Sequence, residues 1–237
     1  MDKISFIIPN KKNQNLQIQK DIIDNKNENN IKQTNYTNNL IDYINIAPNV
    51  FKFGNINFNI EDDIYALYNK ACLVKQENKY KAIEMFKKCY KLINKNTKLE
   101  IKYEIYINLG LLLSETDGNK DEIINYYEEA LIISPDRAEP YFYCSIYCNK
   151  IHNYEKSYEF LKKALLLSYD EVNLKYPGTQ FTSYGKYLYD ELSVACFWLE
   201  KYEESKILLE QIIDDPDFSE SRERIKANLE ITKSKII

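Results

Sequence analysis

The stretch Tyr141–Ala164 reads YFYCSIYCNKIHNYEKSYEFLKKA. Tyr141 and Ser145 stand four residues apart, and Tyr154 falls at a break in the pattern. Ser157, Leu161 and Ala164 then continue at spacings of four and three. Such spacings place side chains on one face of a helix, so the segment predicts two short helices joined by a turn. Moving back 34 residues from Ser157, Leu161 and Ala164 lands on Ile123, Tyr127 and Ala130, and Pro135 follows them. Upstream of these, Tyr106, Leu109, Gly110 and Leu113 supply a first helix. One extra residue sits in the turn around Gly118.

The residue types give this period a physical meaning. Gly110, Ser145, Ala130 and Ala164 are small enough to let paired helices approach closely. Tyr106, Tyr127 and Leu161 are large enough to fill the space beside them. Pro135 ends one helical hairpin and directs the chain into the next. One such hairpin cannot bury its own apolar faces, so neighbours must stack into a solenoid.

The pattern extends in both directions. Tyr189, Leu192, Ser193, Tyr202, Ser205 and Leu209 repeat it downstream, closing near Pro216. The step from Ser157 to Ser205 is 48, which implies an insertion of 14 residues over Tyr169–Thr182. That insertion contains Pro177-Gly178, a turn signal. Upstream, Ala82, Phe86 and Cys89 mark a second helix paired with residues 62–76. Ser219–Ser234 is amphipathic, with Ile225, Leu229 and Ile231 among many charges, and reads as the cap that an open solenoid end requires. Residues 62–234 are therefore expected to form about nine helices, four antiparallel pairs plus a cap.

The run Tyr-x2-Leu-Gly-x2-Leu at 106–113, followed by an apolar residue, an aromatic, an Ala and a Pro, resembles the tetratricopeptide repeat. The resemblance implies an all-α, short helical-hairpin solenoid in which the first helix of each pair lines the concave side. A narrower similarity covers residues 106–230. It rests on Arg137-Ala138-Glu139-Pro140-Tyr141, Tyr154-Glu155-Lys156-Ser157-Tyr158, Tyr189-x-Glu191-Leu192-Ser193, Tyr202-Glu203-Glu204-Ser205 and Arg224-Ile225-x2-Asn228. Their order is similar to the helical region that follows family 2 glycosyltransferase domains. Lys3–Pro9 also resembles the first strand of such a domain, but the rest of that domain has no counterpart here.

Residues 1–60 differ from the remainder. Fifteen of them are Asn, a residue that favours turns over regular helix. Residues 10–40 are expected to be largely disordered. Phe51, Phe53, Ile56, Phe58 and Ile60 alternate around Gly54-Asn55, a hairpin signal for 49–60. The expected organisation is an Asn-rich segment, 1–60, and a helical repeat domain, 61–237.

Composition excludes several functions. The net charge of −4 provides no basic surface for nucleic acid, and no apolar run approaches the length of a membrane span. The apolar stretch Ile4–Pro9 is too short for a signal peptide. The five cysteines, odd in number and irregular in spacing, are accordingly expected to be reduced and the protein intracellular, in the cytoplasm. Cys144, Cys148 and His152 lie four apart and invite a metal reading. Against it, the two cysteines hold inward repeat positions and the His sits in a turn, so no metal is expected. Asp215-Pro216-Asp217 has the spacing of an acidic motif of nucleotide-sugar transferases, yet it falls at a helix terminus, where Asp is an ordinary turn and N-cap residue. With one His and no phosphate-cradling Gly loop, neither catalytic residues nor a cofactor are expected.

What remains is a binding face. The repeat register puts Glu104, Ile107, Leu111, Glu139, Phe142, Ile146, Asn149, Tyr187, Asp190, Val194 and Phe197 on the concave side. The apolar and aromatic members, Ile107, Leu111, Phe142, Ile146, Tyr187, Val194 and Phe197, form the expected groove for a helix or extended segment of a protein partner. Phe142, Ile146 and Phe197 are its expected anchors. The competing expectation is an accessory or remnant of a glycosyltransferase that has lost its catalytic domain.

Overall fold

The computed structural model describes residues 63–116 and 118–236. The expectations for residues 1–60, including the hairpin at 49–60 and the strand at 3–9, lie outside the described residues. Ten α-helices run through the described part, and no strand occurs in it. Four pairs follow in order: α1 (Ile64–Val74) with α2 (Lys79–Leu92), α3 (Leu99–Glu115) with α4 (Lys120–Ile133), α5 (Glu139–Lys150) with α6 (Tyr154–Ala164), and α8 (Tyr189–Trp198) with α9 (Tyr202–Ile212). A short α7 (Tyr169–Lys175) lies in the insertion, and α10 (Arg222–Lys233) closes the stack.

Helices within a pair pack together, and each second helix also packs on the first helix of the next pair. First helices touch as well, α3 with α5 and α5 with α8. The small positions behave as their size requires. A Cβ built on Gly110 would lie 2.7 Å from two ring carbons of Tyr127, so only a hydrogen fits between α3 and α4. Ser145 and Ser193 are buried at the equivalent position of the third and fourth pairs, and Ser157 and Ser205 are buried on their second helices. Ser205 Oγ donates to the Ser193 carbonyl at 2.9 Å, tying α9 to α8. Phe86, Tyr127, Leu161 and Leu209 fill the matching position of the four second helices, all with no exposed surface.

The turns within the second, third and fourth pairs share a closure. The amides of Gly118, Asn153 and Lys201 donate to the carbonyls of Leu113, Cys148 and Cys196 at 2.8–3.0 Å. This is the six-to-one bond that ends a helix through a left-handed residue. His152 (φ 63°) and Glu200 (φ 60°) hold that conformation in the third and fourth pairs. Second helices then start on Asn caps: Asn78, Asn119 and Asn153 accept amide hydrogens of α2, α4 and α6. At the end of the chain, α10 buries Ile225, Asn228, Leu229 and Thr232 and turns Glu223, Lys226, Glu230 and Lys233 outward. It therefore blunts the stack with a polar surface.

Candidate functional site on the first-helix face

The seven groove residues divide by burial. Ile107, Phe142, Val194 and Phe197 are buried, while Leu111, Ile146 and Tyr187 are half-buried. Phe142 shares a buried cluster with Val172, Tyr184 and Leu188. Three members of that cluster thus come from the segment that joins the third and fourth pairs. Phe197 and Val194 pack with Leu209, Ile212 and Phe218. Tyr187 donates its hydroxyl to Asp217 at 2.6 Å and meets Phe181 edge to face at 5.1 Å. The structure brings Leu111 and Ile146 to the same face on adjacent first helices, α3 and α5, which touch. In the first pair, which sequence reasoning left without groove residues, the half-buried Tyr68, Cys72 and Lys75 continue that face.

The insertion reaches back onto the amino-terminal end of α5. After α7, Pro177-Gly178 turns the chain, with Gly178 at φ 92°, a conformation that suits glycine. Tyr184 Oη accepts the Ala138 amide hydrogen at 3.0 Å and donates to Glu139 Oε2 at 3.1 Å. The Gln180 amide donates to Glu139 Oε1 at 3.2 Å, and Arg137 Nη2 donates to the same oxygen at 2.8 Å. Glu139 is buried, so these donors replace the water it gives up. Tyr143 Oη donates to Gln180 Oε1. A polar clamp therefore replaces open groove at this end of the third pair. No sequence pattern pointed to it, because the insertion's contacts with the third pair span 37–46 residues without periodic spacing.

Other first-helix polar residues are also engaged. Asn149 Nδ2 donates to the Glu191 carbonyl at 3.0 Å and to its Oε2 at 2.8 Å. Arg224 of α10 pairs with Asp190, Nη1 to Oδ1 at 3.0 Å, and so fastens the cap to α8. Lys75 Nζ donates to Asn108 Oδ1 at 2.8 Å. Burial pushes the Glu104 carboxyl above the usual carboxylate range; nearby Arg137 and Lys75 oppose the shift and Glu139 adds to it.

The residues weighed for metal and transferase chemistry have structural surroundings. Cys144 and Cys148 are buried with their sulfurs 3.9 Å apart. The exposed His152 places Nδ1 2.6 Å from Tyr154 Oη. No group of His, Cys, Asp and Glu suited to a metal occurs among the described residues. Asp215 accepts the Asp217 amide hydrogen at 3.0 Å as an N-cap, and Lys186 pairs with both carboxylates, at 2.6 and 2.8 Å. No helix of the described part is long and apolar enough to cross a membrane.

No protein-family model and no curated protein sequence matches the chain. Among solved structures it is similar to MamA 41-end from Desulfovibrio magneticus RS-1, a tetratricopeptide-repeat protein. The TM-score is 0.50 at 15% sequence identity, over 73% of this chain and 91% of that one. At that identity the similarity speaks to fold alone. Helix pairing, turn closure, small-residue contacts and this similarity together make the chain a short tetratricopeptide-like helical-hairpin solenoid with a carboxyl-terminal capping helix.

Proposed function

We propose that the chain is a non-catalytic scaffold that holds a segment of a protein partner against the first helices of its pairs. The observation that carries this reading is the continuous face across α1, α3 and α5. There Tyr68, Cys72, Leu111 and Ile146 stay half-buried, although the core beneath them is closed. A partner that covers partly exposed aliphatic and aromatic side chains gains the hydrophobic term without unpacking the scaffold. The insertion and the buried Phe142, Val194 and Phe197 move the available surface toward the first three pairs. In the fourth pair, Tyr187 stands apart among Phe181, Phe218 and Asp217. The reading places the protein inside the cell, as a binder of protein and not of nucleic acid or membrane.

Affinity capture with the full chain tests it, run beside a Leu111→Arg, Ile146→Arg double variant. Both side chains are half-buried, so the variant is expected to stay folded. The reading requires a protein that wild type retains and the folded variant loses. Equal capture by both would place the binding surface elsewhere. The alternative of an accessory to a family 2 glycosyltransferase draws no support from the similarities above. It would require the captured protein to be a transferase, or the chain to bind a nucleotide sugar in calorimetry.

A further inference from the structure

The net charge of −4 conceals a division along the stack. Residues 63–102, which form the first pair and the start of α3, carry ten Lys and four Asp or Glu, a balance of +6. Residues 103–237 carry 15 Lys or Arg and 25 Asp or Glu, a balance of −10. Neighbouring second helices show the same contrast: α2 has five Lys and one Glu, whereas α4 has one Lys and four acidic residues.

Three of these lysines are spent on the second pair. Lys79 pairs with Glu115, Lys87 with Glu122 at 2.9 Å, and Lys75 bonds to Asn108 at 2.8 Å. Lys81, Lys88, Lys91, Lys95 and Lys98 are exposed and make no ion pair among the described residues. Lys81, Lys88 and Lys91 follow at i, i+7 and i+10 along the solvent side of α2, while Ala82, Phe86 and Cys89 face the core. Lys95 and Lys98 stand in the loop that leads to α3. That loop is pinned, since the Asn94 amide donates to Thr97 Oγ1 at 3.1 Å and the Lys98 amide to Tyr65 Oη at 3.4 Å. The dipole at the carboxyl end of α2 accounts for Lys91 in the last turn. It does not account for Lys81, Lys95 or Lys98. Cations gathered in this way repel one another, and an incoming anion relieves the repulsion.

We propose that this amino-terminal end of the stack binds an acidic segment of a protein, whose carboxylates meet these five lysines. The surface is separate from the first-helix face, so the proposal does not depend on the scaffold reading. The extent of the basic surface favours a short peptide over a longer polyanion. Helix α2 has 14 residues and is about 21 Å long. The Lys87–Glu122 pair and the Tyr90–Tyr126 ring contact at 5.6 Å bring the acidic α4 alongside it. A nucleic-acid strand or an anionic membrane that extends past the first pair therefore meets like charge. About seven residues of extended chain span the length of α2 and end with it. Tyr80, 71% exposed, precedes Lys87 and Lys91 by seven and eleven residues, so an apolar ring stands within the basic stripe.

The probe is an immobilised array of random peptides, screened with the full chain at physiological salt, where weak charge attraction is screened. The best peptide is then measured by fluorescence anisotropy beside a version with Asn and Gln in place of Asp and Glu. Wild type is expected to select acidic peptides and to bind the neutral version at least about tenfold more weakly. The triple variant Lys88→Glu, Lys91→Glu, Lys95→Glu should lose the acidic peptide to a similar degree and melt like wild type, because all three side chains are exposed. The Leu111→Arg, Ile146→Arg variant should keep it. Selection of peptides without acidic character, or of none, overturns the proposal, as does equal binding by the triple variant. Loss of the peptide in the Leu111→Arg, Ile146→Arg variant would move it to the first-helix face. Tighter binding of an oligonucleotide or an anionic vesicle than of the peptide would make the ligand a phosphate and not a protein carboxylate.

Discussion

At Gly110 the fold depends on the absence of a single methyl group. The Tyr127 ring stands where a Cβ would go, and Tyr127 is itself wholly enclosed, so it has nowhere to yield. Gly110→Ala gains helix propensity worth up to about 1 kcal/mol but overpacks this contact. We expect a net loss of about 1–3 kcal/mol in chemical denaturation; an unchanged midpoint would show the α3–α4 spacing to be wrong. Glu104 gives a pH signature. Its folded pKa is raised above the unfolded value, chiefly by burial. Stability from this group is thus fully present below the ordinary Glu value and is lost as pH rises through the raised one. Wild type should lose stability relative to Glu104→Gln as the pH rises from the ordinary Glu value through the raised one, read from parallel thermal melts. A constant difference would mean that the carboxyl is not perturbed.

At the scale of elements, caps and the insertion carry most of what the chain's pattern did not reveal. The excess of Asn in residues 1–60 read as a bias toward turns, and within the repeats Asn78, Asn119 and Asn153 cap three second helices. Asn119 Oδ1 accepts from both the Asp121 and Glu122 amides at 3.0 Å. Asn119→Ala should therefore cost about 1 kcal/mol of stability, and a loss confined to noise would remove that role. The helices of the four pairs were legible because their buried positions recur on one face. Helix α7 was not, since seven residues with Val172 alone buried show no period. The insertion was recognised as an extra length with a turn at Pro177-Gly178, but its return onto α5 depends on contacts no local pattern encodes. That return changes the expectation for Phe142. As an open groove anchor it would tolerate truncation, whereas packed with Val172, Tyr184 and Leu188 it shares in the core. Phe142→Ala should cost about 3–5 kcal/mol, and a melting temperature equal to wild type would show the insertion to be loosely held.

For the whole molecule, the solenoid was readable from spacing, whereas the burial of the individual first-helix residues was not. Register alone assigns residues to the first-helix side. It does not say which of them the chain's own insertion and cap cover. Leu111 and Ile146 stay half-buried, while Ile107, Phe142, Val194 and Phe197 are buried. In the proposed reading the partner's face runs over α1, α3 and α5, where Tyr68, Leu111 and Ile146 stay half-buried. The central claim is that a partner segment lies on these first helices and not on the second ones. Hydrogen exchange on the full chain, with and without the captured partner, tests it most directly. Because helix amides are already hydrogen-bonded, the effect is read as slowed local opening. The account predicts added protection in 64–74, 99–115 and 139–150, with 79–92, 120–133 and 154–164 little changed. Protection concentrated in those second helices, or in the fourth pair and cap alone, would contradict it.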